Sequence, residues 1–230
     1  MWQLFDNEEN SSYYVFFFLS IFMLSQEDLL RQIDLDWKYQ SNTESRWSYS
    51  LGSVYRSTYY SSGKFDRTTS FLQLHASPKY AISSHHAVSL EFRYRIRKLF
   101  HSYLVDEKRI TQQYNHSHKL KNVNLTGRLK IEQRFRRRFS LRNRYRLGIS
   151  FLLNKNINPL KEWSLIVDTG ALWSVVPNER STIDQRFTIT LKKPISKMLD
   201  ITIRPQYRYL DYTYNAHGIW HVYTILSVNL

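Results

Sequence analysis

From residue 29 onward, apolar and polar residues alternate with a period of two. Ile33, Leu35, Trp37 and Tyr39 interleave with Gln32, Asp34, Asp36 and Lys38. Val88, Leu90, Phe92, Tyr94 and Ile96 interleave with Ser89, Glu91, Arg93 and Arg95. Val123, Leu125, Leu129, Ile131 and Phe135 alternate with Asn124, Thr126, Arg128, Lys130, Glu132 and Arg134. The same pattern sets Tyr145, Leu147 and Ile149 against Arg142, Arg144 and Arg146. It recurs in Ile183, Phe187 and Ile189 against Asp184 and Arg186, and in Ile201, Ile203, Tyr207 and Tyr209 against Asp200, Arg204 and Arg208. Successive side chains of a strand point to opposite faces, so each segment predicts a strand with one apolar and one charged face. On a helix Arg142, Arg144 and Arg146 would scatter around the cylinder; on a strand they share a face.

Turn-forming residues separate the segments. Ser41-Asn42-Thr43, Ser61-Ser62-Gly63, Lys121-Asn122, Asn154 to Pro159, Pro177-Asn178 and Pro194 mark breaks. Eleven strands are predicted, near 29–40, 46–56, 68–77, 86–96, 107–119, 122–136, 139–152, 162–175, 181–192, 198–210 and 219–230. Single-chain bacterial barrels have an even strand number, so a barrel reading expects ten to twelve. No long amphipathic helix interrupts the pattern. The expected fold class is all-β, an antiparallel up-and-down transmembrane β-barrel.

Alternation alone fits a soluble β-sandwich as well as a membrane barrel. Segment length favours the barrel: globular strands run about 5 to 6 residues, whereas a tilted membrane strand needs about 9 to 11. Aromatic placement favours it too. Trp163 and Trp173 share a parity. At ~3.3 Å per residue and a tilt near 40°, their separation projects to roughly 25 Å, the height of an outer-membrane apolar band. Leu165, Val167, Thr169 and Ala171 lie between them on that face. Trp37, Tyr39, Trp47, Tyr49, Tyr207, Tyr209 and Trp220 supply the rest of two aromatic girdles.

Composition sharpens the picture. The chain has 230 residues, a formal net charge of +14, 16% aromatic residues and no cysteine. Absent cysteine excludes a disulfide scaffold and thiolate chemistry. A charge of this size invites a nucleic-acid reading. Stacking aromatics and phosphate-binding bases would then share a surface, but here they fall on opposite faces of the same strands. At the N-terminus, Tyr13 to Leu24 reads YYVFFFLSIFML. It is too short for a spanning helix and fits the apolar core of an export signal. Asp6, Glu8 and Glu9 precede it in place of basic residues. Residues 1–25 are expected to form a signal-like segment and 26–230 one barrel domain.

The run Glu107 to Leu120, the strand Leu129 to Phe135 with Glu132-Gln133-Arg134-Phe135, and Arg142-Asn-Arg-Tyr-Arg-Leu147 resemble a family of outer-membrane-type β-barrels. That family is common in Bacteroidota and is known only as a domain of unknown function. The similarity runs from about residue 29 to the C-terminus. It implies a barrel fold and an outer-membrane location, and no activity.

In such a barrel the charged face lines the lumen. The inward candidates for ligand contact are Arg128, Lys130, Glu132, Arg134, Arg142, Arg144, Arg146, Asp168, Asp184, Arg186, Arg204 and Arg208. Glu91, Glu132, Asp168, Asp184 and Asp200 are available as carboxylate partners, and guanidinium forks suit them. One reading is a salt-bridge ladder that fills the lumen. The other notes that Arg outnumber carboxylates, leaving room for a small anionic ligand or weak anion passage. Arg136, Arg137 and Arg138 would meet lipopolysaccharide phosphates or stand in solvent. His85, His86, His116, His118, His217 and His221 form the only close His pairs, without Cys partners, and no metal or other cofactor is expected. An outer-membrane hydrolase is the alternative function; Ser150, His116, His118, Asp168 and Asp184 are its ingredients, in no recognisable order. A soluble basic β-domain binding nucleic acid is the second. The expected partners are the lipid bilayer, lipopolysaccharide, a small anion and the barrel-assembly machinery, with no nucleic acid and no enzymatic activity.

Overall fold

The computed structural model describes residues 29–41, 45–61, 64–121, 123–153 and 162–230. The signal-like segment 1–25 and the turn residues 42–43, 62–63, 122 and 154–159 lie outside the described residues. Eleven strands follow one another: β1 (Leu29–Ser41), β2 (Trp47–Ser61), β3 (Lys64–Ala81), β4 (His86–Ile96), β5 (Glu107–Leu120), β6 (Val123–Phe135), β7 (Ser140–Leu152), β8 (Ser164–Val175), β9 (Thr182–Pro194), β10 (Leu199–Leu210) and β11 (His217–Asn229). They form one closed barrel in which each strand pairs with its neighbours in sequence and β1 pairs with β11.

The described strand number is odd, and its consequence is at the seam. In an up-and-down meander the first and last of eleven strands run the same way. β1 and β11 therefore close in parallel, from Leu29 beside Trp220 to Lys38 beside Asn229. The other junctions are antiparallel. Eleven lies within the expected ten to twelve; an even number lets the two ends of a meander meet antiparallel, and parallel pairing removes that requirement.

Local sequence explains the strand ends. Lys121 has φ 44°, and Leu120 pairs with Val123 across the tight turn. Asn178 at φ 62° turns the chain between β8 and β9. β2 and β3 extend well past the range predicted from alternation. Their added stretch, Ser57 to Ser61 against Lys64 to Thr69, contains register shifts at Arg56/Ser57 and Thr58/Tyr60. Bulges insert unpaired residues and break strict alternation, which hides the strand from a period-two reading. Pro78 and Pro205 lie inside strands. The β3–β4 ladder omits Ser77 and Pro78, and the β9–β10 ladder omits Arg204 and Pro205. Proline has no N–H to give, so each strand keeps its ladder at that point on the other side only.

The polarity is inverted relative to a globular domain. Among the described residues the buried apolar side chains are Tyr60, Phe71, Leu172, Tyr223 and Ile225, whereas Asp34, Glu107, Arg109, Glu132, Arg134, Asp168 and Asp200 are buried charges. Ile33, Leu35, Leu74, Phe92, Leu129, Leu147, Ile149, Val167, Phe187, Ile189 and Leu226 stand exposed on the outer wall. Aromatic residues collect toward its two ends. One end has Trp37, Tyr39, Trp47 and Tyr49 exposed, with Tyr80 against Trp47 at 4.9 Å between ring centroids. The other has Trp173 and Tyr209 exposed, with Tyr207 packed on Trp220 at 5.1 Å.

The absence of native cysteine permits a direct test of the seam. Leu35 and Leu226 are partners in register on the outer face. The pair Leu35→Cys/Leu226→Cys should form a disulfide under mild oxidant, visible as a mobility shift in a non-reducing gel. Leu35→Cys/Ile225→Cys should not, because the two thiols then point to opposite faces. Equal cross-linking of both pairs would contradict the parallel register.

Candidate functional site

Period-two geometry turns most charged strand positions onto the inner wall, with Lys108 and Lys193 among the exceptions on the outward parity, and hydrogen-bond register decides which charges meet. At one end of the lumen the carboxylate of Glu107 has no solvent exposure and is a hub. It accepts from Arg109 on its own strand, from Arg134 Nη2 on β6 at 2.5 Å, and from Arg136 in the β6–β7 turn. Arg97, just past β4, lies 3.9 Å away. The loop after β4 is fixed by Asp106, which accepts the backbone N–H groups of Arg97 and Lys98 at 2.8 and 3.0 Å. Those amides hold the Asp106 carboxyl below the usual carboxylate range. Arg109 also reaches Glu132 at 3.5 Å, and Arg144 stands 3.9 Å from it, so the network continues along the wall.

Most of the other lumen carboxylates are taken up by a cation; Asp36 is the exception, its Oδ1 buried without a hydrogen-bond partner among the described residues. Asp34 is held by a bidentate Arg56 with two bonds of 2.6 Å. Glu91 pairs with Arg93, Asp168 with Arg146, and Asp184 with Arg186 at 3.7 Å. Asp200 pairs with Lys192 at 2.8 Å. Aromatic rings serve as further partners. Arg95 lies 4.0 Å over Phe71, and Arg56 lies 4.9 Å over Tyr223. His221 stacks on Tyr223 with a 4° interplanar angle. The two guanidinium–ring contacts contribute roughly 0.5 to 2 kcal/mol each.

Several cations remain without a carboxylate. Arg128 donates from Nε to Asn115 Oδ1 at 3.1 Å, Arg95 to Gln73, and Arg208 to Gln206 and the Tyr223 hydroxyl. Lys130, Arg142 and Arg204 have no hydrogen bond or ion pair among the described residues, and Nε of Arg142 and Arg204 is buried and unsatisfied. The pairing register also lines cations up. Arg128 is opposite Arg146, Arg146 opposite Gly170, Gly170 opposite Arg186, and Arg186 opposite Arg208. Four guanidinium groups thus share one row over five adjacent strands. Gly170 interrupts the row because a Cβ there would lie 2.5 Å from the Tyr145 carbonyl oxygen and 3.3 Å from Arg146 Cα.

All the sequence-predicted site residues lie on strands β6 to β10. They do not form one cluster: Glu132 and Arg134 belong to the Glu107 network, while Asp168, Asp184 and Arg186 form local pairs. Glu107, Arg109, Asn115, Asp34, Arg56 and Tyr223 were not among them. Glu107 and Arg109 sit in a stretch, Glu107 to Gln113, where both faces of β5 are largely polar, so alternation gives no parity. The arginines of the β6–β7 turn divide: Arg136 joins Glu107, Arg138 joins Glu179, and Arg137 is exposed. His85 just before β4, His86 on β4, and His116 and His118 on β5 meet near one end. His85 is 5.4 Å from His118 and His86 is 4.7 Å from His116, ring to ring. No group of three or more metal-ligating side chains occurs among the described residues. Ser150, His116 and Asp168 line one cavity, but Ser150 donates to the Asn124 carbonyl oxygen and Asp168 binds Arg146.

Comparison with known families gives one match. A family model described as "Protein of unknown function (DUF2490)" matches residues 32–217, which is most of the chain. The chain belongs to the DUF2490 family. The match covers β1 to β10 and reaches the start of β11, so the charged wall of this DUF2490 barrel falls within it. No curated protein matches the sequence.

Removing one partner of a buried ion network leaves the others uncompensated, at about 3 to 5 kcal/mol. Glu107→Gln in the DUF2490 chain should lower unfolding stability by about that amount, measured by denaturant titration of the purified protein. Glu179→Gln, which leaves only an exposed pair, should change it by less than about 1 kcal/mol.

Proposed function

We propose that this DUF2490 protein is an outer-membrane β-barrel whose cationic lumen accepts small anions. The observation that carries the reading is the inversion of polarity: unpaired guanidinium groups line the inside, and a largely apolar wall faces out. A soluble chain would present that wall to water, and exposed apolar surfaces on this scale mark contact with lipid or protein. The aromatic belts at both ends suit the headgroup level of a bilayer. Strands of 11 to 18 residues meet or exceed what a bilayer crossing requires. A closed barrel also satisfies the backbone in hydrocarbon, where no edge is tolerated.

Lumen width follows from strand number. Eight strands enclose just enough space for side chains, and sixteen leave an aqueous channel. Eleven fall between, so long Arg side chains narrow the passage without a dedicated plug. The surplus of positive charge in a low-dielectric wall concentrates anions and repels cations. The bilayer is the partner of the outer wall in this reading, and lipopolysaccharide phosphate is the candidate contact for exposed Arg137. Insertion would use the barrel-assembly machinery. No catalytic role is assigned.

Two measurements test this reading. Barrel protein reconstituted in planar bilayers under a KCl gradient should give a reversal potential on the chloride side. Arg142→Glu/Arg204→Glu should move it toward potassium. A wild-type barrel that prefers potassium would overturn the proposal. In vesicles, Ile189→Arg on the outer wall should cost about 2 to 4 kcal/mol of unfolding free energy. An unchanged value would place that wall outside hydrocarbon.

A further inference from the structure

We infer that the inner wall of β5 to β8 carries a binding site for a small phosphorylated polyol, such as a sugar phosphate. The inference deepens the anion-accepting lumen just proposed and rests on it. A cavity of about 380 Å³ opens there. That volume falls within the range of small-ligand sites, roughly 300 to 1,000 Å³.

Its lining divides into two kinds of group. Arg128, Arg146 and Lys79 supply positive charge, and Asp168 supplies the one carboxylate. Asn115, Asn124, Ser117, Thr126 and Ser150 supply neutral donors and acceptors. The charges sum to about two positive, which matches a phosphate dianion. Arg128 and Arg146 are direct cross-strand partners. Like charges so placed repel unless something bridges them. Asp168 meets Arg146 only. Arg128 spends its Nε on Asn115 Oδ1 and leaves both terminal nitrogens without a partner among the described residues. A phosphate placed between the two guanidinium groups accepts from both in the forked geometry that Arg favours. Lys79, exposed at the mouth, adds a third contact from β3.

Space for the rest of the ligand comes from Gly148. It faces inward between Thr126 and Asp168, and a Cβ there would lie 3.0 Å from Thr126 Oγ1 and 3.3 Å from Asp168 Cβ. The hydroxyls of Thr126 and Ser150 spend their protons on the backbone carbonyls of Gly148 and Asn124, which leaves their lone pairs to accept from ligand hydroxyls. The Asn124 side-chain carbonyl accepts from Ser117. An inorganic anion would satisfy the cations and leave this polar shelf unused. A polyol phosphate engages both.

The experiment is calorimetric titration of the detergent-purified barrel with glucose 6-phosphate, inorganic phosphate and glucose in parallel. Glucose 6-phosphate should bind saturably and at least tenfold more tightly than phosphate, and glucose should not register. Arg128→Gln should weaken glucose 6-phosphate at least tenfold. Gly148→Val should weaken it as well while sparing inorganic phosphate. Lys197→Gln, which removes a charge from an exposed turn outside the cavity, should bind like wild type. Equal affinity for phosphate and glucose 6-phosphate would overturn the polyol assignment. No saturable binding, or binding indifferent to Arg128→Gln, would overturn the site. Circular dichroism of each variant separates lost binding from lost folding. The bilayer measurement above keeps the two readings apart. Chloride preference without sugar-phosphate binding removes this site alone. Binding that depends on Arg128 in a barrel without chloride preference removes anion passage and keeps the site.

Discussion

Ten residue pairs between β1 and β11 join the ends of the meander, and the rest of the structure depends on that parallel seam. Without it, two long strands would expose unpaired N–H and C=O groups along their full length. With it, every strand has two neighbours and the inner and outer walls become separate environments. Parallel pairing is slightly weaker per residue than antiparallel pairing. At its end one more bond crosses the seam: Leu230 donates its N–H to the Lys38 carbonyl oxygen at 2.9 Å.

Closure then fixes the electrostatics. Each inward Arg loses much of its water and needs a carboxylate, a ring, an amide or a ligand in exchange. Glu107 shows how far one carboxylate can be shared: three guanidinium groups donate to it and a fourth stands close. All the lumen carboxylates but Asp36 are engaged by a cation, and arginines are left over. Replacing the remaining arginines by apolar residues would fill the lumen more simply. Keeping them commits the wall to a standing positive charge, and the row from Arg128 to Arg208 concentrates that charge on one side.

The outer wall carries the complementary constraint. Its residues follow the same alternation one position out of phase, so a one-residue slip in any strand would exchange lumen and exterior. Ladder interruptions at Pro78 and Pro205 and bulges in the β2–β3 hairpin mark where regular register gives way. Each is local, and the ladder resumes on either side of it.

Much of the fold was legible from periodicity alone. The strand number, the order, the charged face of β6 to β10 and the tight turn at Lys121 follow from which residues alternate, because side-chain direction in a strand is a property of the chain itself. The long β2 and β3 were read short, since bulges between Arg56 and Tyr60 scramble parity. Glu107 was missed as a hub because neither face of β5 near it is apolar. What alternation cannot carry is who stands beside whom. That Arg128 opposes Arg146, that Arg136 rather than Arg137 reaches Glu107, and that β11 returns to β1 in parallel are set by register and closure. Those relations join residues far apart in the chain, so only the tertiary structure decided them.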